Sequence, residues 1–485
     1  MSRTWSMRLV TAAATTVLTA LTLSGAVSAH GAQLVTLSPA EGPAALSTAV
    51  GPAADPVPQQ PSSFAARGGV AWFSAYDPTN GYSLWRSDGT QAGTSVVDAG
   101  IDPTYLTWAG AMLFFAASDT TNGEELWVSN GDPGNAHVIK DAVPGTAYQN
   151  ILSVTASGNR VFFTACDDTY SCEPWVSDGT PNGTFRLHDI AAGQASSNPR
   201  EYASAGSVTV FVAGDPGHGD EIWRTDGTPA GTKLLKDIDP GPVSAYPYDL
   251  VRLGGKVYFW ANDGIHSWEP WVTDGTKAGT RMLKDIAHGT VSSVDGDGSN
   301  AVVYQNRVWF VADDGTHGNE LWRTDGTPAG TKLGVDVYAG AHSANPYSLV
   351  AAGNRLFFSA RDKHHGYEPW ITDGSRAGTR LIKDIAPGGA DSDALNNEAA
   401  ALGSTVVFTA TDLAHGLEPW ASDGSPSGTF LLSDIAPGSQ DSDVRYMTTV
   451  GSLVLFSADD GTDGAQLWVT DGHAGSAHTH AVFSP

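Results

Sequence analysis

The chain has 485 residues, enough for about three average domains or one long repeat array. Gly (56) and Pro (27) together make about one residue in six, a turn density that argues against a mainly helical protein. Lys and Arg number 26 against 52 Asp and Glu, so the net charge is -26, and nucleic acid is excluded as an expected partner because a polyanion would be repelled.

The N-terminus reads as an export signal. Arg3 and Arg8 precede an apolar stretch from Leu9 to Leu23, and small residues at Val27-Ser28-Ala29 offer a cleavage point before His30. Residues 1–29 are therefore expected to be removed, and the mature chain is expected outside the cell. No second apolar run has spanning length, so no membrane insertion is expected. Residues 33–38 resemble a lone strand, followed by a Pro/Ala-rich linker to Ser62. Domain boundaries are thus expected at 1–29, 30–62 and 63–485.

From Ser63 onward one phrase recurs. Its Trp falls at Trp85, Trp127, Trp175, Trp223, Trp271, Trp322, Trp370, Trp420 and Trp468, nine copies at steps of 42 to 51 residues. Aligned on that Trp, Phe always stands twelve before, Ala ten before, Asp eight before and Gly four after. The spacing of two between Phe, Ala and Asp predicts a strand with one buried face. In the fifth copy, residues 248–253, 256–261, 269–273 and 280–286 read as four strands joined by short turns. Four antiparallel strands repeated nine times predict an all-β chain, a β-propeller of nine four-stranded blades in one ring. An eight-bladed ring or another β-repeat array is the alternative. Residues 33–38 are expected to pair with the last blade and close the circle, with Thr479 to Phe483 competing for the same place.

Leu84-Trp85 with Asp88-Gly89-Thr90, Leu321-Trp322 with Asp325-Gly326-Thr327, and the Lys-Asp-Ile runs at 236–238, 284–286 and 383–385 carry a family likeness. The chain resembles the ELWxxDGT repeat proteins, secreted bacterial proteins of which some are described as hyalin-like. The resemblance implies architecture and export, and it implies no catalytic residues. The second copy departs from the pattern with Asn130-Gly131-Asp132, so a different turn is expected there.

Candidate chemistry is sparse. Cys166 and Cys172 are the two cysteines, close together in a chain bound for an oxidising space, and they are expected to form a disulfide. The nine Asp residues eight before the Trp are expected to accept turn N–H groups, because a position filled identically in every unit serves the fold. His recurs five before the Trp at His218, His266, His317, His365 and His415, where capping of the turn is expected over metal ligation. Asp295 and Asp297, in Asp295-Gly296-Asp297-Gly298, resemble the start of a calcium loop, but the Glu expected at the twelfth position is Asn306. Calcium is the one cofactor these residues suggest, and Asp391-Ser392-Asp393 and Asp441-Ser442-Asp443 are shorter versions of the same pattern. No GxSxG, HExxH or phosphate-cradling GxxxxGK motif occurs. The expectation is a secreted, monomeric, non-enzymatic binding or scaffold propeller whose partner is an extracellular protein or glycan. The alternative is a propeller hydrolase or lyase acting on extracellular polysaccharide.

Overall fold

The computed structural model describes residues 58–479, apart from 120, 122, 142–150, 168–170, 295–300, 397 and 463. The expected signal, the strand expected at 33–38 and the candidate calcium ligands Asp295 and Asp297 lie outside the described residues. Strands are the only regular elements among the described residues, and they form consecutive antiparallel groups of four, of which the last and the first are joined into one eight-stranded sheet where Gln59 pairs with Gln466. This is a β-propeller-like repeat fold.

The fifth unit represents the others. Its first strand is Tyr248–Leu253, its second Lys256–Asn262 and its third Trp268–Thr273. The fourth is only Arg281–Met282, well short of the seven residues the sequence suggests, and the chain beyond it leaves the ladder to meet a buried glutamate described below. The first unit also starts earlier than expected, with a strand from Gln59–Arg67. In the ninth unit the fourth strand is its own C-terminal stretch, His478–Thr479, paired with Trp468 and Val469.

The expectation of one buried face is corrected by the packing. In the second strand of the fifth unit, every residue from Val257 to Ala261 is buried, on both faces. Phe259, Ala261 and Trp271 pack on Val210 and Ile222 of the fourth unit. Tyr258, Trp260 and Val272 pack on Phe310 and Trp322 of the sixth. The invariant Phe-Ala spacing of two therefore marks one of two covered faces. The other face goes unnoticed because its residues vary in identity while staying apolar. The same Phe-Ala-Trp face in the first unit, Phe73, Ala75 and Trp85, packs on Leu455 and Val469 of the ninth. First strands of successive units lie side by side, and the first strand of unit nine neighbours that of unit one.

Where a unit carries the Lys-Asp-Ile run, its Lys tightens the seam to the next unit. Lys236 Nζ sits 5.0 Å from the Trp271 ring of the next unit and donates to Thr280 O at 2.9 Å. Lys284 over Trp322 and Lys383 over Trp420 repeat the arrangement. A cation over an indole face is stabilised by the ring quadrupole.

The turn after the third strand is locked by backbone and hydroxyl groups. The Gly four after the Trp takes φ of 81° at Gly275 and 88° at Gly131, which a side chain rarely adopts. The second copy keeps this turn despite its altered sequence, because Asn130 Oδ1 accepts the N–H of Asp132 as Asp274 Oδ1 accepts that of Thr276. A hydroxyl pair unremarked in the sequence, Thr273 with Thr280 at 2.7 Å, closes the turn and recurs from unit to unit.

Cys166 and Cys172 stand directly opposite one another on the second and third strands of the third unit and are joined as a disulfide. The closed loop is small, so replacing both with Ser is expected to lower stability by about 2 kcal/mol. Chemical denaturation of the two proteins measures this, and unchanged stability would show that the bridge contributes nothing.

Candidate functional site

The repeated polar residues are engaged by the fold itself. Asp263 Oδ1 accepts the N–H groups of Ile265 and His266, and the Asp residues at 77, 215, 314, 362 and 412 hold their turns in the same way. The recurring His is part of the device. Nδ1 of His266, His317 and His415 lies 2.8 to 3.0 Å from the Asp carboxylate three residues earlier, as does that of His218 and His365. The hydrogen bond to Asp raises the pKa of His266, His317 and His415. Burial alone would raise Asp263, Asp314 and Asp412, but the imidazole and turn N–H groups together outweigh it and lower them. Among the described residues, no three His, Cys, Asp or Glu side chains converge as a metal site.

The Glu two before the Trp is a clamp. Glu269 is fully buried. Its carboxylate accepts the N–H groups of Ile286 and Ala287 at 2.9 and 3.3 Å and the Ser293 hydroxyl at 2.9 Å. Glu173, Glu221, Glu320, Glu368 and Glu418 take the equivalent N–H pairs. The chain meets this carboxyl just after the fourth strand, whether that strand is two residues long as in the fifth unit or four as in the fourth and sixth. Burial raises these carboxyls, to about 8 at Glu221 and about 7 at Glu269, Glu320 and Glu368. The first unit has Ser83 in this place, which accepts the Gly100 N–H instead. The short acidic loops are partly committed too: Asp391 Oδ1 accepts the Tyr367 N–H and Asp441 Oδ1 that of Leu417.

Variation gathers at the start of the first strands, at the end of the units where the hairpins between second and third strands lie. Here the first strand carries a bulge with positive φ at residues such as Tyr105, Glu201, Asp249 and Tyr446. Side chains at this position reach across the seam. Glu201 accepts the Leu250 N–H, Asp249 that of Ala301, and Glu398 that of Met447. Burial, with Glu201 adding to it, raises Asp249 to about 7. Tyr105 and Tyr446 stay 45% and 46% exposed at the same level, a large aromatic exposure for an inner strand.

Two cavities open at this level and meet at Arg445. The larger, about 450 Å³, lies between units nine, one and two and is lined by Gln60, Tyr82, Asp102, Thr104, Arg445 and Tyr446. It exists because Ala465 stands where the first unit has Tyr82 and the fifth Trp268. The smaller, about 290 Å³, lies between units eight and nine and is lined by Asn396, Glu398, Thr409, Asp441, Asp443 and Arg445. Tyr82 Oη donates to Gln60 Oε1 at 2.5 Å, Tyr82 packs edge-on to Tyr76, and Arg445 pairs with Asp443 at 2.6 Å. In the second unit, burial raises Asp102, and Glu124 is raised to about 7 by burial and further by the charge of Asp102. Of these cavity residues only Asp441 and Asp443 were singled out by sequence, as a short acidic loop and not as part of a cavity. The available signal was departure from the repeat three and twenty-two before the Trp.

No protein-family model matches the chain, and no curated protein matches it in sequence. Among solved structures, the computationally designed Ika8 protein is similar at 17% identity and a TM-score of 0.42, over 74% of this chain and 95% of that one. A structure from a study of two prolyl endopeptidases matches at 12% identity and a TM-score of 0.41, over 76% of this chain and 54% of that one. A puromycin-hydrolyzing peptidase of Mycobacterium tuberculosis matches at 10% identity and 0.39, over 82% and 57%. The chain thus spans little more than half the length of the two peptidases.

Two predictions follow the buried carboxyls. A Glu whose folded pKa is raised from 4.5 to about 7 keeps its proton in the folded state while the unfolded state has lost it, so stability falls as pH rises through that window. The raised His residues contribute stability below 6.5 that is lost as pH rises through their folded values. The lowered Asp residues contribute above 3.8 and lose it on acidification. The melting temperature is therefore expected to be higher at pH 5 than at pH 8. A rise toward pH 8 in calorimetry would contradict the buried-carboxyl account. Glu269→Ala strands two buried N–H groups and is expected to cost about 2–4 kcal/mol in urea denaturation.

Proposed function

We propose that the chain is exported and acts at the cell exterior as a non-enzymatic binding or scaffold propeller, a monomer whose nine blades form one ring. The packing of unit nine on the Phe73–Trp85 face of unit one supports the ring. The disulfide fits an oxidising compartment. One observation carries the binding reading. The repeated Asp, His and Glu side chains are engaged in turns and clamps, while the side chains that differ between units line the two cavities at Arg445. Cavities of this size with a few polar groups are the usual form of a ligand site.

The second reading, a polysaccharide hydrolase or lyase, has one observation in its favour. Burial, with the charge of Asp102 adding to it, raises Glu124 to about 7, the range of a general acid at neutral pH.

The deciding experiment incubates the purified mature protein with a panel of extracellular polysaccharides and follows both co-sedimentation and new reducing ends. Binding without release of ends is expected. Turnover that Glu124→Gln abolishes would replace the binding reading with the enzymatic one.

A further inference from the structure

We infer that the two cavities meeting at Arg445 are adjoining subsites for one neutral, hydroxyl-rich oligosaccharide, an assignment that rests on the binding reading above. Three features lead there. First, the cavities share Arg445 as a common wall, so a single extended ligand passing over it occupies both. A compact ligand would need only one. Second, the larger cavity offers Tyr446, nearly half exposed, beside Tyr82, whose ring is braced by Tyr76 and whose hydroxyl is held by Gln60. The electron-rich face of an aromatic ring suits the C–H face of a sugar, and Gln60, Asp102 and Thr104 around it supply both donors and acceptors for hydroxyl groups. Third, the smaller cavity contains a polar group without a partner. Thr409 is fully buried, lines the cavity, and its hydroxyl has no hydrogen-bond partner in the protein. A buried hydroxyl left unmatched costs stability, and a ligand hydroxyl in the cavity would satisfy it.

Charge selects among glycans. Among the described residues lining the two cavities the one cation, Arg445, is already paired with Asp443, and Glu398, Asp441 and Asp102 also line them. With a net charge of -26 on the chain, a uronate or sulfated glycan meets repulsion at long range and no free cation at contact. A neutral chain meets neither penalty.

The test is calorimetric titration of the full mature protein with a neutral β-glucan hexasaccharide, a chitin hexasaccharide and an oligouronate of equal length. At least one neutral hexasaccharide is expected to bind, and the oligouronate is not. Tyr446→Ala, at an exposed position, is expected to weaken binding by about tenfold or more. Thr409→Val, which keeps the shape and removes the hydroxyl, is expected to weaken a hexasaccharide more than a disaccharide short enough to fill the larger cavity alone. Tighter binding of the oligouronate, or unchanged binding in Tyr446→Ala and Thr409→Val, would overturn the assignment. Failure of every neutral glycan while a cell-surface protein binds would end the glycan assignment and leave the binding reading intact. Cleavage of a bound neutral chain would do the reverse, ending the non-enzymatic reading and leaving the subsites in place.

Discussion

The middle two strands of every unit must be covered on both faces, and most of the structure follows from that constraint. A strand such as Lys256–Asn262 exposes an apolar surface to each side that no single four-stranded sheet can hide. The unit is stable only between neighbours. This places Phe259 and Trp271 against one unit and Tyr258 and Trp260 against the next. It also explains why the first and fourth strands, at the two edges, are the ones free to bulge, shorten and vary.

The buried Glu solves a difficulty that this packing creates. A chain leaving one sheet for the next must break its ladder, and the backbone N–H groups released there are shut away from water. Glu269 accepts two of them with a single side chain. A carboxylate is an expensive group to bury, and the raised pKa at Glu269 and its counterparts expresses that cost. The alternative of unmatched N–H groups at each crossing would be worse.

Much of this was legible in the sequence because repetition converts one chain into nine aligned examples. The position of Trp271, the hairpin at Gly254-Gly255, the turn at Asp274-Gly275 and the pairing of Cys166 with Cys172 all followed from spacing and turn chemistry. Other features were hidden for a physical reason. Burial of the second strand face leaves no fixed residue type, only persistent apolarity, so alternation at Phe and Ala suggested a single covered side. The clamp role of Glu269 links residues 17 and 18 apart through space, which no local pattern displays. The cavities at Arg445 were hidden most completely. They arise from what is missing, a large side chain at Ala465, and from the half-buried ring of Tyr82 and the exposed ring of Tyr446, which a repeat alignment treats as noise.

The seams have a direction. Each unit offers its Phe-Ala-Trp face to the unit before it and its opposite apolar face, with a Lys in some units, to the unit after it, so the contact is head-to-tail and never self-complementary. An excised piece of three consecutive units would therefore carry a plug at one end and a matching socket at the other. Such heterologous contacts propagate until rotation closes them. On the proposed ring of nine units, three copies of the piece would have the number of units needed to rebuild it as a threefold-symmetric assembly, and the same logic lets whole units be gained or lost by duplication without inventing a new interface.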